Sequence, residues 1–165
     1  MKIFVKYTAA LKFLFFEAKM PILVFVFTIC LFVILTSTFF SCIADLFGDS
    51  DLLSGADFSK FTKVEEFFMV VAVAPLLETL LFQYIPIKVV RLFVKDTHYA
   101  IVGSAISFAL SHYHNWFYIL NTFLIGLIFG YAFIASEKRL YSPFLIVFFI
   151  HSLYNLYAFI VKNYL

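Results

Sequence analysis

The stretch Ala74-Pro75-Leu76-Leu77-Glu78-Thr79-Leu80-Leu81-Phe82-Gln83 decides how the rest of the chain is read. It places one carboxylate inside an apolar, helix-forming run, with no loop or helix end to retreat to. In lipid an ionised carboxylate costs several kcal/mol unless a partner or water reaches it, so by default it marks a functional site. Two further segments supply partners: Phe108-Ala109-Leu110-Ser111-His112 and His151-Ser152-Leu153-Tyr154-Asn155. The three are expected to meet in one polar pocket within the bilayer.

Composition supports a membrane setting. The chain has 165 residues, 64% hydrophobic and 13% charged, with 25 phenylalanines, and a mean hydropathy of +1.02. A soluble domain of this size could not hide that much apolar surface, so lipid is part of the solvent. The net charge is only +2, and no basic stripe with interleaved polar residues runs along any segment, so nucleic acid is not an expected partner. Cys30 and Cys42 lie on one apolar stretch without metal-ligand spacing, and no disulfide is expected between them.

Outward from Glu78, the sequence predicts an all-α fold: a polytopic membrane helical bundle of about five transmembrane helices with an N-terminal amphipathic interfacial helix. In residues 1–19, Ile3, Phe4, Tyr7, Leu11, Leu14 and Phe15 cluster on one side of a helical wheel. Lys2, Lys6, Lys12 and Glu17 lie on the other, as suits a helix in the cytoplasmic interface with lysines reaching anionic headgroups. A cleaved signal peptide is the rival reading, but no small-residue cleavage site follows a short apolar core. Residues 20–165 are then the membrane domain. The first span is the uncharged run 21–44, long enough for a hydrocarbon core of about 30 Å. An acidic loop over 45–57 follows on the non-cytoplasmic side.

The second span opens on Glu65 and Glu66, favourable at a helix N-terminus, and is expected to run to about Tyr84, where Pro86 ends or kinks it. Lys88, Arg91 and Lys95 read as a basic cytoplasmic connector. A short third span over 99–112, a fourth over 117–136 and a fifth over 143–161 complete the bundle, with Glu137-Lys138-Arg139 as the next cytoplasmic turn. The basic connectors place the N-terminus in the cytoplasm. Glu78 precedes Lys88 by ten residues and His151 follows Arg139 by twelve, roughly 15 and 18 Å of helix, so both belong near mid-depth. His151 and Asn155, four apart, share a helix face, and Gly126 and Gly130 have the spacing that lets another helix approach closely.

These motifs, in this order, resemble the CAAX-protease and bacteriocin-processing (CPBP, or Abi) family of intramembrane proteases over about residues 64–160, a protease-like core. That family's first motif is usually a Glu-Glu pair followed by Arg, after an Ala-Pro lead. Here Ala74, Pro75 and Glu78 are present, while Thr79 replaces the second Glu and Gln83 the Arg. The second motif, Phe and then His four later, is Phe108 and His112. The glycine-containing helix has Gly126 and Gly130, and the last motif, His then Asn, is His151 and Asn155. The resemblance implies peptide-bond hydrolysis within a cell membrane, a bacterial inner or plasma membrane, with Glu78 as general base and His112 orienting the attacking water. It gives His151 and Asn155 the oxyanion, and Thr79, Gln83 and Phe108 supporting roles. Losing the second Glu and the Arg together keeps the local charge balanced, and hydrogen bonds of Thr79 and Gln83 are expected to replace the salt bridge.

The implied substrate is a membrane-associated peptide or protein, prenylated or bacteriocin-like, with membrane lipids as the other partner and no cofactor. Two other readings use the same residues. Glu78, His112 and His151 are the ligand types of a catalytic zinc site, although His-Glu-x-x-His is absent. A non-proteolytic bacteriocin-immunity or peptide-binding protein would fill the cavity without cutting. Asn121 and Asn155 are also the kind of residue that merely joins helices by hydrogen bonds. His98 and His114 are expected outside the site, as interfacial or loop residues.

Overall fold

A computed structural model describes residues 20–48, 50–53, 60–113, 115–139 and 141–164; the expected interfacial helix over 1–19, and His114, lie outside them. Among the described residues there are five helices and no strand. Helix α1 is Ile22–Leu46, α2 is Lys63–Phe93, α3 is Thr97–Leu110, α4 is Trp116–Lys138 and α5 is Pro143–Tyr164. All but α3 are long and apolar enough to cross a membrane. Helix α3 has 14 residues, about 21 Å at 1.5 Å per residue, so it falls short of a core of about 30 Å. The third of the expected spans is thus a partial one.

Helix ends are set by local chemistry. Thr62 caps α2 in a capping box: Glu65 N–H donates to Thr62 Oγ1 at 3.3 Å, and Thr62 N–H donates to Glu65 Oε2 at 2.8 Å. Asp96 and Asn115 cap α3 and α4, accepting from the backbone N–H groups of His98 (2.9 Å) and Tyr118 (2.8 Å). The Asp96 carboxyl is held below its usual range by that backbone bond and by the His98 ring.

Helix α2 departs from the expected boundary. It passes through Pro86 and continues to Phe93, so Lys88 and Arg91 stand on the helix and not in a connector. The reason is a change of winding. Segments Met69–Val73 and Thr79–Tyr84 are π-helical: Ala74 N–H bonds Met69 C=O and Ile85 N–H bonds Leu80 C=O, each five residues back. Each wide turn stops two residues before a proline, Val73 before Pro75 and Tyr84 before Pro86. A proline in a tight helix lacks the donor for the carbonyl behind it and its ring crowds that turn; the wider π turn relieves the crowding, and the helix goes on.

Helix α4 is central and touches all four others. Its close contact with α3 follows from glycine. A Cβ on Gly126 would stand 2.9 Å from the Ala105 Cα, and one on Gly130 would meet Ile101 and Ser104 at 3.1 Å. Small residues let the backbones approach, and van der Waals packing then holds α3 without a full span of lipid contact. Helix α1 lies against α4 and α5, burying Phe25, Ile29 and Val33 while Leu23, Phe27, Leu31, Leu35 and Phe39 form an exposed stripe at four-residue spacing. An apolar stripe of that kind suits contact with lipid tails.

Ion pairs show which helix ends share a side. Glu137 on α4 meets Lys88 at 2.7 Å and Arg91 at 2.5 Å on α2, and Arg139 donates to the Met20 carbonyl at 3.1 Å. At the opposite end Glu66, buried, is held by Lys162 at 2.8 Å and Lys63 at 3.3 Å, and Lys63 also donates to Asn163. Lys88, Arg91 and Arg139 therefore gather at one end of the bundle. Cys30 and Cys42, twelve residues apart along α1, are both free.

Candidate active site

Glu78 stands midway along α2, between the two π segments. Its Oε2 lies 3.6 Å from His151 Nε2 on α5 and 3.8 Å from His112 Nε2, just beyond α3. The sequence-predicted trio therefore meets at one carboxylate oxygen. Both separations exceed a direct hydrogen bond; they are the range in which a water oxygen fits between polar groups. The three groups border a cavity of about 770 Å³, which Asn155 also lines and which extends to the Glu66–Lys162 pair.

Phe108 explains the Phe-then-His spacing. Its carbonyl lies 2.8 Å from His112 Nδ1, and its ring packs 4.7 Å from the His112 ring and 5.7 Å from the His151 ring. A carbonyl can only accept, so Nδ1 carries a proton and Nε2 is the ring nitrogen turned toward Glu78. Ser111 Oγ sits 3.0 Å from the same Nδ1 and donates to the Phe108 carbonyl at 2.7 Å. His151 is buried against Phe129, with ring centroids 4.9 Å apart, and its Nδ1 has no hydrogen-bond partner among the described residues.

Asn155 is four residues from His151 and faces the same way, but part of its donor capacity is spent. Its Nδ2 donates to the Val70 carbonyl at 2.9 Å. The π turn assigns that carbonyl to the residue five further on, which is Pro75, and proline has no N–H. Asn155 supplies the donor that Pro75 lacks.

Thr79 and Gln83 depart from expectation. Both are fully buried, and neither Thr79 Oγ1 nor the Gln83 amide makes a hydrogen bond among the described residues. They lie four apart on a π segment, and no bond forms between them. His98 lies outside the site as expected; it is exposed and pairs with Asp96 at 2.8 Å. Among the described residues, no three His, Cys, Asp or Glu side chains are grouped so as to hold a metal ion.

The sequence reading missed several cavity residues. Ser37 and Thr38 of α1, Glu66, and Tyr118 of α4 line the same space. Tyr154 ties α5 to α1 through its hydroxyl, which donates to Ser37 Oγ at 2.9 Å. The signal for α4 was present as spacing: Tyr118, Asn121, Thr122 and Ile125 fall on one helical face.

A carboxylate and two imidazoles thus face one another inside the apolar helical bundle of a multi-pass membrane protein. The family model described as type II CAAX prenyl endopeptidase, Rce1-like, matches residues 60–157, more than half of the chain. The protein belongs to this CAAX-protease family of intramembrane endopeptidases. No curated protein and no solved structure matches the chain.

Proposed function

We propose that this chain hydrolyses a peptide bond of a membrane-associated peptide or protein, with Glu78 as general base. The observation that carries the reading is Glu78 Oε2 facing both Nε2 atoms at 3.6 and 3.8 Å inside the cavity. Glu78 takes a proton from a water that His112 Nε2 also accepts from, and the water oxygen attacks the scissile carbonyl carbon. The negative charge that forms on the carbonyl oxygen is met by the second Nδ2 hydrogen of Asn155 and by His151 in its Nε2–H form. The C–N bond then breaks, and Glu78 returns its proton to the leaving nitrogen. Proton transfer of this kind contributes on the order of 10²–10⁴-fold.

Phe108 serves by fixing His112, while Thr79 and Gln83 line the structure behind Glu78. The substrate is a prenylated or bacteriocin-like peptide, and the face that gathers Lys88, Arg91, Lys138 and Arg139 is cytoplasmic, in a bacterial plasma membrane. Residues 20–165 act as one membrane domain, with 1–19 in the interface.

The test is cleavage of a farnesylated Cys-aliphatic-aliphatic-X peptide and its unprenylated form by purified protein in liposomes. Folded Glu78→Gln protein should be inactive while wild type cleaves. A zinc chelator is the second arm: loss of activity restored by zinc moves the assignment to a metallopeptidase. A Glu78→Gln protein that keeps its cellular function favours a peptide-binding immunity role.

A further inference from the structure

Asn121 stands on the face of α4 turned toward both imidazoles, and the mechanism above does not use it. Tyr118, Asn121, Thr122 and Ile125 line the cavity beside Glu78, and offsets of three, four and seven residues put them on one stripe. Contacts with the histidines bracket that stripe. The Tyr118 ring lies 5.4 Å from the His112 ring, and the Phe129 ring lies 4.9 Å from the His151 ring. Asn121 sits between these two contacts.

Its state is unusual for a buried amide. Asn121 is 2% exposed, and its Oδ1 has no hydrogen-bond partner among the described residues. The adjacent Thr122 shows the contrast: its Oγ1 donates to the Tyr118 carbonyl at 2.8 Å and is satisfied within its own helix. An amide serving to join helices would direct its oxygen at a donor on a neighbouring helix. Buried polar groups without partners are costly and few, and each calls for a reason.

A carboxamide offers an acceptor oxygen and N–H donors, which complement the N–H and C=O of a peptide unit. We propose that Asn121 is a substrate-binding residue that holds the main chain of a peptide beside the scissile bond, its Oδ1 accepting from a substrate N–H. This rests on the peptide-cleaving reading and deepens it. Recognition through the main chain selects an extended backbone in the cavity and is indifferent to the side chain at that position.

The test measures binding in full-length Glu78→Gln protein in detergent, where turnover is blocked. The probes are a fluorescent farnesylated Cys-aliphatic-aliphatic-X peptide, its unprenylated form, and versions with an ester replacing each amide flanking the cysteine in turn. Adding Asn121→Leu, which keeps the bulk and removes the polar atoms, should weaken amide-peptide binding by on the order of tenfold. One ester peptide should bind equally with and without Asn121→Leu, because its N–H is already gone. Where Asn121→Leu does not fold, Asn121→Ala makes the same comparison. Equal binding of the amide peptide by both proteins overturns the proposal, as does an equal loss for the amide and every ester peptide, which is the mark of packing alone. Absence of saturable binding to either parent peptide overturns it too. Product formed by the Glu78→Gln protein is scored in the same samples and counts against the general base alone.

Discussion

Asn155 donates its side-chain N–H to the Val70 carbonyl at 2.9 Å, in the place that Pro75 leaves vacant one wide turn along α2. The bond joins α5 to α2 beside Glu78, so one residue links the shape of the carboxylate-bearing helix to the chemistry assigned to the oxyanion. Asn155→Ala should therefore lower stability as well as rate, by about 1 kcal/mol for a partly buried carbonyl left without this donor. Pro75→Ala restores a main-chain N–H that can take over the bond. Thermal unfolding of both single variants and the double variant in detergent checks this: the cost of Asn155→Ala should shrink in the Pro75→Ala background, and strict additivity would show that the two residues are not coupled.

Glu78→Gln keeps the size and hydrogen bonding of the side chain but cannot take a proton, so cleavage should fall by at least about 10²–10⁴-fold with the fold intact. His112→Ala should be similarly severe, since it removes the Nε2 that faces Glu78 at 3.8 Å. Single-turnover assays on folded protein read both effects. Near-normal turnover in either variant would remove that residue from the mechanism.

Thr79 and Gln83 carry buried polar atoms without partners, so apolar replacements of similar shape remove a desolvation cost without breaking a bond. Thr79→Val and Gln83→Met should leave stability unchanged or raised, and Thr79→Val should affect rate less than any change at Glu78 or His112. A fall of more than about 1 kcal/mol in unfolding free energy would reveal a bonded role for the residue concerned.

Gly126 is where α3 and α4 come closest, and its would-be Cβ meets main chain: the Ala105 Cα at 2.9 Å. Gly103 meets only the Val90 Cγ2 at 3.1 Å, the end of a side chain that can turn away. Gly126→Ala should thus cost about 1–3 kcal/mol through forced backbone movement, and Gly103→Ala clearly less. Melting temperatures that rank the other way would contradict the close contact between these helices.

Labelling of single cysteines at Ser50 and Lys138, in a Cys30→Ser, Cys42→Ser background, reads the orientation. The loop carrying Ser50 should react with impermeant reagent from outside and Lys138→Cys only from the cytoplasm. Reaction of both from one side would sink the topology.

How much was legible beforehand depends on whether a property is local. Glu78 announced itself because a lone carboxylate in an apolar run is expensive wherever the run is buried in lipid. The number of helices and the acidic start of α2 at Glu65 and Glu66 also follow from neighbours in sequence, and the positive charge of Lys88, Arg91 and Arg139 assigns them to one side. The spacing of Gly126 and Gly130 told that a helix would come close, and α3 does.

What the sequence alone could not decide is everything that depends on winding and on distant partners. Each π turn inserts a residue and so rotates the following helix by about 100° relative to regular winding, and the wide turn ahead of Pro86 lets α2 continue past it. The link from Asn155 to Val70, eighty-five residues apart in the chain, exists only because folding brings α5 against a carbonyl that Pro75 cannot serve. His112 owes the direction of its Nε2 to the Phe108 carbonyl, and the cavity face of Asn121 is defined by rings on α4, α5 and the turn after α3. Residue types fixed which polar groups must find one another in lipid; tertiary packing alone set which of their donors and acceptors remain for a substrate, because hydrogen bonds are assigned by position in space.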